Sequence, residues 1–121
     1  YAKAQGIMGT FRRTMAEWWE SGFDLLVTPT TALPPPRIGE LTPTAGDPVR
    51  GSKGSLPYAV FTSPFNTTGQ PGISLPLGTS DGLPVGVQLV GAYGREDLLI
   101  AVGSQLEAIA RWSDRRAPIH A

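Results

Sequence analysis

The sequence has no cysteine and only one histidine, His120. The first absence excludes a disulfide framework, a thiolate zinc site and a cysteine nucleophile together. The second leaves a Ser-His-Asp relay no usable base, because His120 is the penultimate residue of a polar tail that is expected to fray. Net charge is missing too. Ten basic and ten acidic residues cancel, so no overall field draws nucleic acid or an anionic membrane surface. No apolar run approaches the ~20 residues of a membrane span, and no basic-then-apolar signal peptide opens the chain. The expected setting is cytoplasmic, with neither nucleic acid nor membrane as partner. Glu96 and Asp97 are explained by the dipole of the helix they open rather than by a metal, so no metal site is expected.

Glycine (15) and proline (12) are plentiful among the 121 residues. They punctuate apolar segments instead of forming repeats, which predicts a folded, loop-rich α/β protein of one domain at most. The chain opens at Tyr1, without Met, inside a helical pattern, and is expected to be a fragment or a processed chain. Ala4, Met8, Phe11, Met15 and Trp18 fall at alternating spacings of four and three. That is the apolar stripe of an amphipathic helix over 1–22, stopped by Gly22. A short buried strand over 24–28 follows. The span 29–55 reads as a Pro- and Gly-rich loop, with Pro34-Pro35-Pro36 extended. Residues 56–65 read as a short helix with Pro57 near its start. Two alternating apolar segments over 73–91, joined by Asp81-Gly82, form an antiparallel hairpin. Pro76 has no N–H for the ladder and belongs at an edge or a bulge. A last helix over 95–112 carries Leu98, Leu99, Val102, Leu106 and Ile109 on one face, with Glu96 and Asp97 in its first turn.

Within the loop, Gly51-Ser52-Lys53-Gly54-Ser55 sets two hydroxyls beside an amine. It lacks the spacing of a phosphate-binding loop and the strand that should precede one. A Ser-Lys pair would need Lys53 desolvated to serve as a base, whereas a Gly-rich loop leaves the amine in water. The residues by themselves show no reaction.

Three segments in order, FDLLVTPTTALPPPRIGE, FTSPFNTTGQPGISLPLG and DGLPVGVQLVGAYGREDLLIAVGSQLE, resemble the carboxy-terminal part of the amidase signature family. The resemblance covers residues 1 to about 112. It implies the carboxy-terminal portion of the amidase signature fold, a mixed β-sheet covered by helices, and hydrolysis of an amide by a Ser, cis-Ser, Lys set without a cofactor. That set lies on a Gly- and Ser-rich signature and an earlier Lys, both upstream of Tyr1, so no catalytic residue is expected in this chain. The resemblance also implies that Leu56, Ala59 and Ser63 are substrate-pocket candidates, sharing a face at i, i+3 and i+7 if 56–65 is helical. Packing of that face on the sheet is the alternative. Asn66, Gly69 and Gly72 are expected to shape a structural turn, Asn66 through its side-chain amide and the glycines by close backbone approach. Expected partners are an amide substrate met through the complete enzyme, and a missing amino-terminal region or another chain covering apolar surface. Two rival readings are a non-catalytic binding or assembly module and the amidase subunit of a tRNA-dependent amidotransferase.

Overall fold

The computed structural model describes residues 1–116; His120 and the end of the tail lie outside the described residues. Helix α1 (Ala2–Glu20) leads through Ser21 and Gly22 into strand β1 (Leu25–Pro29). A long excursion follows, ending in a short helix α2 (Arg50–Ser55) and a 3₁₀ turn over Leu56–Ala59. Helix α3 (Ser63–Thr68), strands β2 (Gly72–Ser80) and β3 (Leu83–Gly91), and helix α4 (Glu96–Ala110) complete the core elements. A second 3₁₀ turn covers Trp112–Asp114.

The Asp81-Gly82 pair makes the tightest possible hairpin. Ser80 faces Leu83 directly, and both intervening residues have positive φ, 52° and 77°. This is the mirror-image turn whose twist matches that of the flanking strands. β3 lies in the middle, in the order β1-β3-β2, and both ladders are antiparallel. The resemblance implied a mixed sheet. β1 and β2 do run parallel to each other, but β3 separates them, so no parallel ladder forms among the described residues. Between Leu75 and Gly78 the β2 register gains one residue against β3. Pro76 falls in this bulge, on an edge strand, where its missing N–H breaks no ladder bond. Arg115 donates to the Pro76 carbonyl.

Alternation sorts the sheet into two faces. Leu25, Ile73, Leu75, Val87 and Leu89 point toward α4 and enclose Leu99, with Val102, Leu106 and Trp112 around them. Gly103 sits at the contact. A β-carbon there would lie 3.4 Å from Ile73 Cδ1 and 3.8 Å from Leu75 Cδ2, so the helix backbone runs close over the strand. Ile109, placed on the apolar face by periodicity, is 80% exposed. The other face carries Thr28, Ser74, Gln88 and Val90 and is overlaid by the segment leading into α3. α1 packs on α3 rather than covering the sheet, with the Arg12 guanidinium donating to the Thr67 carbonyl at 2.8 Å.

Two sequence expectations change. The 29–55 loop ends early, at α2. Gly51 and Gly54, which read as breakers, are where α2 touches Leu41. A β-carbon at Gly54 would stand 2.6 Å from Leu41 Cδ2, and one at Gly51 would stand 3.1 Å from the Leu41 carbonyl oxygen. The 56–65 helix is divided in two. Pro64 removes an N–H and crowds the turn before it, so the chain restarts as α3 with proline in the first turn. α3 then runs to Thr68 and ends on Gly69 in the left-handed region, φ 81°.

Candidate functional site

The division at Pro64 separates the three pocket candidates. Leu56 opens the 3₁₀ turn and is 68% exposed, Ala59 closes that turn half-buried, and Ser63 begins α3 exposed. They lie along one segment but share no helical face. None of them lines the cleft of about 280 Å³ between Thr31–Pro35 and the hairpin tip at Ser80–Gly86.

Asn66 stands within α3, not in a turn. Its backbone N–H donates to Thr62 at 3.3 Å, and its exposed side chain makes no hydrogen bond among the described residues. Gly69 does cap the helix, its N–H donating to Phe65 at 2.8 Å. Gly72 begins β2 opposite Val90, with room for an ordinary contact, so close approach does not require glycine there.

The glycine that close approach does require is Gly86. It faces the β2 bulge from the central strand, and a β-carbon on it would fall 2.7 Å from Thr30 Oγ1 and 2.8 Å from Ser74 Oγ. Over this bare backbone the two hydroxyls meet at 2.6 Å, bridging from one side of β3 to the other. Thr30 also takes the Gly86 carbonyl through its N–H at 3.0 Å. One pair further along the same face is Gln88, 7% exposed. Its Nε2 donates to Thr28 Oγ1 at 3.1 Å and to the Phe61 carbonyl at 2.9 Å. The Thr-Pro-Thr end of β1 thus contributes both threonines to a polar seam, while Pro29 points to the other face. Sequence reading missed this seam. Its signal was a glutamine in the middle of the otherwise apolar run Val85–Val90 and two threonines at period two.

Ser52 and Lys53 are exposed on α2, and the described bond there runs from the Ser55 hydroxyl to the Ser52 carbonyl. Neither contacts the seam by a hydrogen bond among the described residues. At the start of α4, Arg95 bonds Asp97 at 3.0 Å. That hydrogen bond is the first cause holding the Asp97 carboxyl below its ordinary range and the Arg95 guanidinium above its own. Among the described residues no group of three or more acidic or histidine side chains is placed to hold a metal ion. Among the described residues no helix is long and apolar enough to cross a membrane.

An antiparallel hairpin extended by β1, backed by α4 and faced by the α3 segment, is an α/β arrangement that many functions share. The comparisons narrow it. Residues 1–100 match the family model described as Amidase, and the chain belongs to the amidase family. It is 52% identical over 105 residues to the 6-aminohexanoate-cyclic-dimer hydrolase of Paenarthrobacter ureafaciens, covering 82% of this chain and 21% of that one. A solved structure of 6-aminohexanoate cyclic dimer hydrolase superposes with a TM-score of 0.85 at 45% identity, over 98% of this chain and 26% of the other. One of the subunits of the glutamyl-tRNA(Gln) amidotransferase of Clostridium botulinum is 38% identical over 92 residues, covering 76% of this chain and 18% of that one. The chain therefore spans about a fifth of the length of the curated relatives it matches.

Proposed function

We propose that these residues form the carboxy-terminal part of an amide hydrolase whose serine nucleophile lies in a preceding region of the polypeptide. The observation that carries this is the likeness, at 45% identity and a TM-score of 0.85, to about a quarter of a hydrolase, over nearly all of this chain. In the complete enzyme a serine Oγ, deprotonated through a Ser-Lys relay, attacks the amide carbonyl, with backbone N–H groups holding the oxyanion. The C–N bond breaks and the amine leaves with a proton. Water then cleaves the acyl-enzyme, giving the carboxylate and restoring the serine hydroxyl. No cofactor enters. This part supplies scaffold, and the segment through Leu56, Ala59 and Ser63 supplies one wall of the substrate pocket. A cytoplasmic setting fits this chemistry.

The same reading assigns a cover to the exposed side of α1. Ile7 is 64% and Phe11 37% exposed. The amino-terminal region of the enzyme, or another chain, would supply the apolar contacts that cover them. The amidotransferase reading would add a partner protein. Its relative is the less similar one, at 38%, and the balanced charge gives that reading no support. A binding module without chemistry would lack the upstream Ser-Ser and Lys.

The test is hydrolysis by the full-length protein of an amide of a short ω-amino acid, the substrate type in the name of the relative at 52% identity. Turnover abolished by replacing the upstream serine supports the reading. Residues 1–121 alone are expected to be inactive. Turnover by this chain that disappears in Ser52→Ala or Lys53→Ala would place the chemistry in α2 and overturn it.

A further inference from the structure

Gln88 is the buried polar side chain of the described core, and it stands where an aliphatic residue would be cheaper. Its neighbours along β3, Val87, Leu89 and Val90, are all apolar. A carboxamide there is retained at a cost unless its hydrogen bonds achieve something. Its Nε2 has two protons and uses them on two different elements. One goes to Thr28 on the adjacent strand, the other to the Phe61 carbonyl, 27 residues away in sequence.

Phe61 lies between the 3₁₀ turn that ends at Ala59 and the helix that starts at Ser63. This is the interval where the chain has no helical register of its own, because Pro64 interrupts it. Within the interval Val60 is 54% exposed, and the local hold is the turn that Thr62 makes back to the Ala59 carbonyl, through its N–H at 3.2 Å and its hydroxyl at 3.3 Å. That turn shapes the segment but does not attach it to the sheet. The hydrogen bond from the central strand does.

We infer that Gln88 is a positioning residue: its carboxamide pins the Phe61 carbonyl to the sheet and so sets the placement of the Ala59–Ser63 segment against bound substrate. This rests on the reading of that segment as a pocket wall. Gln88 touches no reacting atom. It acts through the backbone it holds, and a displacement of about 1 Å in such a support is enough to cost up to ~100-fold in rate or affinity.

Two variants of the full-length protein test this. Gln88→Met keeps the length and removes both donors. Gln88→Asn keeps the amide but is one methylene too short to span to Phe61. The readouts are hydrogen exchange of the backbone amides over 59–63 and around Leu75 and Leu89, and kcat and KM for a large and a small amide. Exchange over 59–63 is expected to rise roughly tenfold in both variants, with protection at Leu75 and Leu89 retained, as local opening without global unfolding requires. KM for the large amide is expected to rise roughly tenfold, with kcat for the small amide within about twofold, since binding along the wall is lost and the reacting groups are not. Unchanged exchange over 59–63 overturns the pin. Equal loss of protection across the sheet, or failure of both variants to fold, makes Gln88 a core-stability residue and also overturns it. Local exchange that rises while KM stays fixed overturns the role toward substrate. A wild-type protein that hydrolyses no amide, while its Gln88 variants still show the local exchange change, refutes the hydrolase reading and leaves the pin standing.

Discussion

The two sides of the sheet are built from similar sequence but filled to different degrees. Toward α4, Leu75, Leu89 and Leu99 are each 5% exposed or less, and seven further apolar side chains pack round them. Toward α1 and α3 the sheet buries Val90 completely and Gln88 nearly so, but of the 19-residue helix only Trp19, which lies beside the apolar stripe, is buried. Trp18 stacks on Phe23 at 4.4 Å rather than entering a core, and Ile7 and Phe11 face outward. Burying one such side chain contributes ~1.5–3 kcal/mol. The α4 side therefore gathers the larger apolar cluster, while on the α1 side burial is limited to Val90 of the sheet and Trp19 of the helix, and the stripe itself is at most half-buried.

The strongest way to break that comparison is Leu89→Ala. Leu89 sits centrally on β3 facing α4, and its truncation should cost about 2–5 kcal/mol in urea denaturation. A loss under about 1 kcal/mol would mean that the α4 side is not the stabilising half. Next in size is Gly86→Ala. Its methyl would collide with the Thr30 and Ser74 hydroxyls, and parting the two outer strands or shifting the seam should cost about 1–3 kcal/mol. An unchanged urea midpoint would show that the seam yields freely.

A smaller effect sharpens the contrast. Ile7→Ser should change the stability of the 121-residue chain by no more than ~0.5 kcal/mol, as expected of a surface position. In the full-length protein the same change should exceed about 1 kcal/mol if the α1 face is covered there. Equal effects in the two settings would leave that face uncovered in both. The smallest effect lies at the start of α4. Asp97 is held below its ordinary pKa by Arg95, so the stability it adds is complete above its unfolded-state value of about 3.9 and fades as acid takes the pH below that. Asp97→Asn should remove this acid-side slope and leave stability near neutral pH nearly unchanged, since the pair is fully exposed.

The elements that could be read from the sequence are those decided by neighbours along the chain. Asp81-Gly82 specifies its turn because few other pairs accept two positive φ values. Pro76 announced its bulge by lacking an N–H, and Gly22 and Gly69 stop their helices in the left-handed region. The stripe from Met8 to Trp18 specified a helix but not which of its side chains would be covered. The division of 56–65 is also visible in the sequence, since Pro64 cannot sit in the interior of a helix begun at Pro57 without interrupting it.

The polar seam was not legible in the same way. Thr28, Thr30, Ser74 and Gln88 come from three strands, and their hydroxyls and amide meet only after the register is set. The reading of α2 failed for a related reason. Gly51 and Gly54 are poor helix residues, yet both lie against Leu41, Gly51 tightly against its carbonyl, and this tertiary contact goes with a helix that local propensity disfavours. By itself, then, the sequence determined the turns, the helix ends and the apolar periodicities, because these follow from dihedral limits and spacing within a few residues. Only the tertiary structure decided that Gly86 must be bare, that Gln88 reaches Phe61 and that α1 rests on α3. Each of these depends on which groups arrive within a few ångströms from distant parts of the chain, and no local rule carries that distance.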